Sequence, residues 1–425
     1  MEVIKVLLLN TLDDAGGAAR AASRLLTAVR EVGVDAQMLV RRKRGDLPGV
    51  IGPATAFTRF VQALRPHLDA LPVRLYPNSP YLNFAPAMVP DLLVRKVEEI
   101  NPDIIHLHWI AGGFLQLETL RRLRKPLVWT LHDSWAFTGG CHVPFECTSY
   151  REKCGKCPIL GSSREVDLSR RVWARKERAL HDLPINVVAP SRWMASCAEA
   201  SSLFREKRIV TLPNGVDEQL FRPIAKDAAR EMLSLPQGQK LICFGAMSAR
   251  DRNKGFHLLA SALRELAARW GGDAQLVVFG SLDRVDAVDL GIRTTYRGRI
   301  DDDSELALLY AAADVFVLPS LMENLPYAVM EAMACGTPCV AFDQGGVPDL
   351  IEPEINGYLA RCYEPEDLAK GIAWVLEDNE RHRGLSQRAR KKVEDEFALS
   401  VVAGRYLQLY ETVLHLKERS GGDWD

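Results

Sequence analysis

The chain has 425 residues, of which 47% are hydrophobic, and a formal net charge of −1. That length suggests two domains with ample apolar residues for their cores, and the balanced charge removes any global case for a nucleic-acid partner. No apolar run reaches the roughly 18 residues that a membrane-spanning helix needs. The apolar start of the chain is short and lacks a signal-peptide cleavage pattern. It reads as a first core strand and predicts a cytoplasmic protein, in which the nine cysteines are not expected to form a disulfide framework.

A strand over Ile4–Leu9 leads through the loop Asp13–Gly17 into a helix over Ala18–Val32. After Gly33 a second strand begins at Asp35. This is a βαβ opening. Gly16 and Gly17 do not form GxGxxG and read either as a tight turn or as a ligand contact. Arg41, Arg42, Lys43 and Arg44 form a basic cluster. Phe57–Leu75 mixes apolar and basic residues around Pro66, which predicts a helical hairpin at a domain edge or a segment lying on an anionic membrane.

A helix over Asp91–Ile100, a strand over Ile104–His108, a helix over Phe114–Arg124 and a strand over Leu127–Leu131 follow. His106, His108 and His132 fall at strand ends, where open α/β sheets bind ligands. His132 is the best placed, with Asp133 beside it to orient it or to bind a ligand hydroxyl. Cys141, Cys147, Cys154 and Cys157 then come close together, only the last pair at C-x2-C spacing. They are candidate ligands of a structural zinc ion, with redox pairs or plain thiols as alternatives. The turn Pro213–Asp217 precedes a domain boundary placed near 217–235.

The second half restarts with a strand over Lys240–Gly245. Arg250, Arg252 and Lys254 concentrate positive charge in the loop after it, which suits a diphosphate or is a solvated basic loop. A helix over Phe256–Trp270 and strands over Gln275–Gly280 and Tyr296–Ile300 follow. The stretch Glu323–Gly346 reads as a helix between two buried strands, with Pro326 in its first turn and Gly336 ending it. Glu323 sits at the mouth of that helix, and Glu331 on its polar side. Helices over Pro365–Leu376, Glu380–Glu396 and Leu399–Lys417 finish the chain.

Glu323 and Glu331, separated by seven residues and followed by AMA-x-G-x-P and the Gly345-Gly346 turn, resemble the donor-site signature of the retaining family 4 glycosyltransferases. The cysteine segment resembles an insertion in a subgroup of bacterial exopolysaccharide and colanic-acid-type synthesis. The resemblance runs from Gly16-Gly17 to Asn356–Leu359. It implies the α/β GT-B fold, two Rossmann-like domains facing across a cleft: an acceptor-side domain over 1–217 with a cysteine-rich insertion at 139–160, and a nucleotide-sugar-binding domain over 218–398. A last helix, within 399–425, would cross back onto the first domain.

The implied activity is transfer of a hexosyl-type sugar from a nucleotide-diphosphate sugar to an acceptor hydroxyl on the same face, with retention. The acceptor would be a sugar or a lipid-linked saccharide, which favours peripheral contact with the inner membrane face. In this reading His132, Glu323 and Lys254 are catalytic. Glu331 holds the ribose and Glu323 the donor-sugar hydroxyls. Lys254 with Arg250 or Arg252 takes the diphosphate, and Gly16 and Gly17 approach it or the acceptor. Arg299 lies near the base, and Asn324, Leu325 and Tyr327 offer backbone contacts. No cofactor is required for catalysis. Two departures stand out: Ala246 replaces an expected Arg, and Pro326 replaces a frequent Gly. The rival readings are a nucleotide-sugar epimerase of the same architecture and a non-catalytic sugar-nucleotide-binding protein.

Overall fold

The computed structural model describes residues 3–76, 79, 83–246, 251–280 and 289–419. It divides into two compact units, Met1–Asn214 together with Val402–Asp425, and Gly215–Val401.

The first unit is built on β1 (Lys5–Leu12), α1 (Gly17–Glu31), β2 (Asp35–Arg42), β3 (Val50–Ile51), α2 (Ala56–Asp69), α3 (Leu93–Ile100), β4 (Ile104–Leu107), β5 (Leu127–Thr130), α4 (Leu168–Leu180), β6 (Ile185–Ala189), α5 (Arg192–Ala200) and β7 (Arg208–Thr211). Its seven-stranded sheet runs β3-β2-β1-β4-β5-β6-β7 with every pairing parallel. Parallel strands covered on both faces carry continuous apolar runs. Alternation splits them between two cores. Leu7, Leu9, Ile105 and Leu107 pack on one side. Val6, Leu8, Ile104 and Val128 pack on the other, against Val402, Tyr406 and Tyr410.

Two expected elements differ. Phe57–Leu75 is not a hairpin: α2 runs straight through Pro66 and is followed by a 3-10 turn over Leu71–Leu75. A Thr55/Thr58 capping box starts it. Proline leaves the carbonyl four residues back without its helical donor, and the Arg41 guanidinium donates to that Gln62 carbonyl instead. Phe114–Arg124 contains only a 3-10 segment over Leu117–Arg122.

The second unit contains α6 (Lys226–Met232), β8 (Lys240–Gly245), α7 (Phe256–Trp270), β9 (Ala274–Phe279), β10 (Arg293–Gly298), α8 (Asp303–Ala312), β11 (Val315–Leu318), α9 (Tyr327–Ala334), β12 (Cys339–Phe342), α10 (Val347–Leu350), β13 (Gly357–Ala360), α11 (Pro365–Leu376) and α12 (Asn379–Lys392). Its sheet order is β10-β9-β8-β11-β12-β13, again parallel. Helix α6 lies inside the stretch expected to be a boundary. The Arg230 and Lys226 side chains fix it to Asp314, whose Oδ2 also accepts the Leu241 N–H. A π-helical turn over Val393–Phe397 replaces the end of the helix expected over Glu380–Glu396. Helix α13 (Leu399–Arg419) then carries the chain back to the first unit. No helix among the described residues is long and apolar enough to cross a membrane.

Candidate functional site

Each sheet reverses its strand order at its first strand, between β1 and β4 in one unit and between β8 and β11 in the other. Such switch points open a crevice beyond the carboxyl ends of the strands.

In the second unit, residues 251–255, which follow β8, and residues 319–323, which follow β11, come at this switch point. They are tied together closely. Leu321 N–H donates to Asn253 O at 2.7 Å, and Asn253 Nδ2 donates to Met322 O at 3.0 Å. Gly255 has φ +65°, and a Cβ there would lie 1.7 Å from Pro319 O, so only glycine allows this approach. The contact carries Lys254 to Glu323, Nζ to Oε1 at 2.6 Å. The Glu323 charge raises the Lys254 pKa against the opposing effect of burial, so the ammonium persists through neutral pH. Glu323 is also held by its main chain. Gly346 N–H donates to its carbonyl at 3.0 Å, and Gly345, at φ +59°, sits where a Cβ would come within 2.1 Å of that oxygen. The glycine pair after β12 is thus a clamp on Glu323.

Pro326 is the cap of α9 and not part of its first turn. Its ring nitrogen therefore precedes the helix, and the α9 N–H groups begin with Tyr327. Leu325 is buried beneath the start of α9. Asn324 precedes it, and Tyr327 is the first residue of α9. Glu331 is not on a solvated face. It is 1% exposed, and Tyr310 OH donates to its Oε2 at 3.4 Å.

Of the expected basic residues, Arg252 is exposed and Arg250 lies outside the described residues. Arg299 forms a surface ion pair with Asp301 at 2.6 Å. Ser320, just after β11, was not anticipated. It is 2% exposed, and its hydroxyl has no partner among the described residues. Nothing in its local sequence distinguishes it from any buried serine.

In the first unit, Gly16 caps α1 with φ +88°, a conformation that favours glycine, and Gly17 is the first helical residue. A Cβ at either would meet nothing within 4 Å. Asp13 in the same loop is structural, its carboxylate accepting the Arg44 and Gly45 N–H groups.

Three histidines form a buried series at the ends of β4 and β5. His106 lies within β4, bonded to Tyr410 OH through Nδ1 and to Thr130 Oγ1 through Nε2, both at 2.8 Å. His108 Nδ1 and His132 Nε2 are 2.9 Å apart with their rings stacked. Burial drives His132 down to about 4 and His106 to about 3, and pushes His108 well below its ordinary range. All three are neutral imidazoles at pH 7.

Asp133 turns its carboxylate to three other donors. Its carboxylate accepts from Trp109 Nε1 at 2.8 Å, His142 Nδ1 at 2.7 Å and Trp135 N–H at 2.8 Å. Burial raises its pKa, but the charge and hydrogen bond of His142 and the other donors outweigh this and hold it below the usual carboxylate range. His108, twenty-four residues earlier, supplies the bond that orients His132. Among the described residues no group of three or more His, Cys, Asp or Glu side chains stands in metal-holding geometry. The four clustered cysteines line one small cavity as free thiols.

Residues 15–220 match the family described as Glycosyltransferase Family 4, and residues 225–392 match Glycosyl transferases group 1. The chain belongs to the family 4 glycosyltransferases. Among this glycosyltransferase's relatives is the D-inositol 3-phosphate glycosyltransferase of Thermobispora bispora, 26% identical with 96% of this chain and 92% of that one aligned. Another is the phosphatidyl-myo-inositol mannosyltransferase of Mycolicibacterium smegmatis, 26% identical over 88% and 87% of the two chains.

Its fold is similar to that of sucrose-phosphate synthase from Thermosynechococcus elongatus, with a TM-score of 0.69 at 20% identity, covering 97% of this chain and all of that one. HepE of Anabaena, solved in complex with UDP, gives a TM-score of 0.66 at 18% identity, covering 96% of this chain and 100% of that chain. The two parallel-sheet domains of this glycosyltransferase are those of the GT-B fold.

Proposed function

We propose that this glycosyltransferase moves a hexosyl group from a nucleotide-diphosphate sugar to an acceptor hydroxyl, with retention, in the synthesis of a bacterial polysaccharide or glycoconjugate. The observation that carries this reading is the Lys254–Glu323 pair, held at the switch point of the second unit by two close-approach glycines. A diphosphate gains charge as the glycosidic bond breaks, and a fixed ammonium offsets it. Lys254 takes that role, supported by Arg252 or Arg250. The N–H groups opening α9 face the same anion.

Glu323 accepts hydrogen bonds from donor-sugar hydroxyls and Glu331 from the ribose. Arg299 lies near the base, and Asn324, Leu325 and Tyr327 offer main-chain contacts. His132, neutral and oriented by His108, serves the reacting sugar as a hydrogen-bonding group. Gly16 and Gly17 leave room for donor phosphate or acceptor. No metal takes part in the step. HepE was solved with UDP and UDP-glucose, which makes UDP-sugars the first donors to try.

The expected result is release of nucleoside diphosphate that depends on an acceptor and falls at least about a hundredfold in Glu331→Ala and His132→Ala. Wild-type turnover in both variants would overturn the site assignment. Conversion of donor sugar without acceptor would mean an epimerase, and binding without turnover a regulator.

A lipid-linked acceptor at the inner face of the membrane is part of the same proposal, and α2 supports it. Its sides are inverted relative to an ordinary surface helix. Arg65 and Asp69 point inward, to Gly113 O and to the Ala87 and Met88 N–H groups. Phe57, Phe60, Val61, Leu64 and Leu68 are exposed at helical spacing. Arg59, Arg74, Arg42, Lys43 and Arg44 are exposed nearby in sequence, the charge that anionic headgroups attract. The protein should float with vesicles containing phosphatidylglycerol and fail to do so with Phe57→Glu/Leu64→Glu. A wild type that stays with the soluble fraction at low salt would exclude this contact.

A further inference from the structure

The cysteine segment following Asp133 has no part in the chemistry above. Its fold is nonetheless tightly specified. Between Cys141 and Cys157 the only helical piece is a 3-10 turn over Ser149–Arg151. Even so, Cys141, Cys147, Cys154 and Cys157 all line one cavity of about 10 Å³, room for a single water-sized body. Cys141, Cys154 and Cys157 are each 6% exposed. The loop is anchored on α4, since Asp167 Oδ2 accepts the Cys157 N–H at 2.9 Å and Arg170 Nε donates to Cys154 O. Gly139 makes the close packing feasible, because a Cβ there would lie 2.5 Å from Ser169 O and 3.0 Å from Cys154 Sγ.

Two further observations concern charge. A buried free thiol ordinarily behaves as a small hydrophobe, but these sulfurs are supplied with donors. Gly139 N–H donates to Cys154 Sγ at 3.1 Å, and the N–H groups of Ile159 and Leu160 point at the Cys157 sulfur. Burial nevertheless pushes the thiols of Cys141, Cys154 and Cys157 up, so without a metal they stay protonated. In addition, Lys176 is fully buried beside them. Its ammonium lies 3.9 Å over the Trp135 ring and donates to the carbonyls of Trp135 and Thr138. Among the described residues it has no ion pair with a carboxylate. The acidic groups around it are Cys141, Cys154 and Asp133, and Asp133 is already engaged by His142, Trp109 and Trp135. Burial brings the Lys176 pKa down to about 7, and an anion beside it would favour the charged form.

We propose that Cys141, Cys147, Cys154 and Cys157 bind one zinc ion as a tetrathiolate centre, with Lys176 offsetting part of its net negative charge. Four soft sulfurs in a closed set select zinc and leave no open coordination position, so the centre is structural. The four side chains line the cavity without standing in coordination geometry, and binding turns them inward. Four S–H bonds break as four Zn–S bonds form, and the protons pass to water. The ion fixes the loop carrying His142, which follows Cys141 directly and holds Asp133. The inference is independent of the donor-site reading.

Full-length protein purified without chelator should contain about one zinc per chain by mass spectrometry, falling to near zero in Cys147→Ser and Cys154→Ser. Because those variants can lose the fold altogether, the wild type should also be loaded with cobalt(II). It should show the intense d–d bands of a tetrahedral site and a thiolate-to-cobalt charge-transfer band. Metal-free protein whose clustered thiols all titrate and give no cobalt spectrum would overturn the proposal. So would a mass showing these cysteines joined as disulfides.

Discussion

Lys254→Ala should lower kcat/KM by about two to three orders of magnitude while costing only about 1 kcal/mol of stability. The two effects separate because of where the residue lies. Lys254 Nζ is 2.6 Å from Glu323 Oε1, but the lysine side chain keeps 30% of its exposure and the glutamate 17%. Water can therefore solvate Glu323 once the ammonium is gone, and the fold loses little. A diphosphate leaving group loses the fixed positive charge beside it, and Glu323 loses the contact that orients it toward sugar hydroxyls. Lys254→Arg retains charge on a larger, planar head and should recover part of the rate. Nucleoside-diphosphate release measured with thermal unfolding decides the matter. Activity within about threefold of wild type in the alanine variant would remove Lys254 from the site.

Acid should destabilise the first unit well before carboxylates titrate. His132 and His106 have folded pKa values of about 4 and about 3, against 6.5 ordinarily. His108 is displaced the same way. Between those values and 6.5 the unfolded chain binds more protons than the folded one. Stability is thus complete above pH 6.5 and is lost as the pH falls toward 4. The total is on the order of several kcal/mol, since a tenfold change in a proton-binding constant corresponds to about 1.4 kcal/mol. Asp133 acts in a lower window: its depressed pKa adds a loss only below the ordinary carboxylate range.

Urea midpoints at pH 7, 6 and 5 should decline steadily, and a His106→Gln/His132→Gln variant should flatten the decline. An unchanged midpoint from pH 7 to 5 would show that the histidines are not held neutral by burial.

The parallel strands were legible because a strand covered on both faces must be apolar throughout, as in Val6–Leu9 and Val315–Leu318. The end of α9 was legible because Gly336 takes a positive φ there. Other features depend on partners distant in sequence. The integrity of α2 at Pro66 depends on Arg41. The burial of Glu331 depends on how α9 packs on the helix carrying Tyr310, and no local periodicity records that. The residue orienting His132 could not be read from its neighbours, since adjacent Asp133 turns to Trp109 and His142 while His108 on the next strand makes the bond. The Gly345-Gly346 turn was visible as part of a pattern, but its reason was not. Gly255 and Gly345 are needed because backbone oxygens of Pro319 and Glu323 occupy the space a side chain would fill.

The hydrogen bonds from Tyr410 to His106 and from Tyr406 to Thr130 make the first unit depend on the end of the chain. The sheet containing β4 and β5 is translated early, but its second core is completed by Val402, Tyr406 and Tyr410 from α13. A nascent chain that has emerged only as far as Asn214 lacks the Tyr410 partner of His106 Nδ1 and has an uncovered apolar face. The contiguous second unit can close first. The unit translated first therefore finishes folding last, and a fragment ending at Asn214 should need α13 supplied, fused or in trans, before it becomes a stable domain.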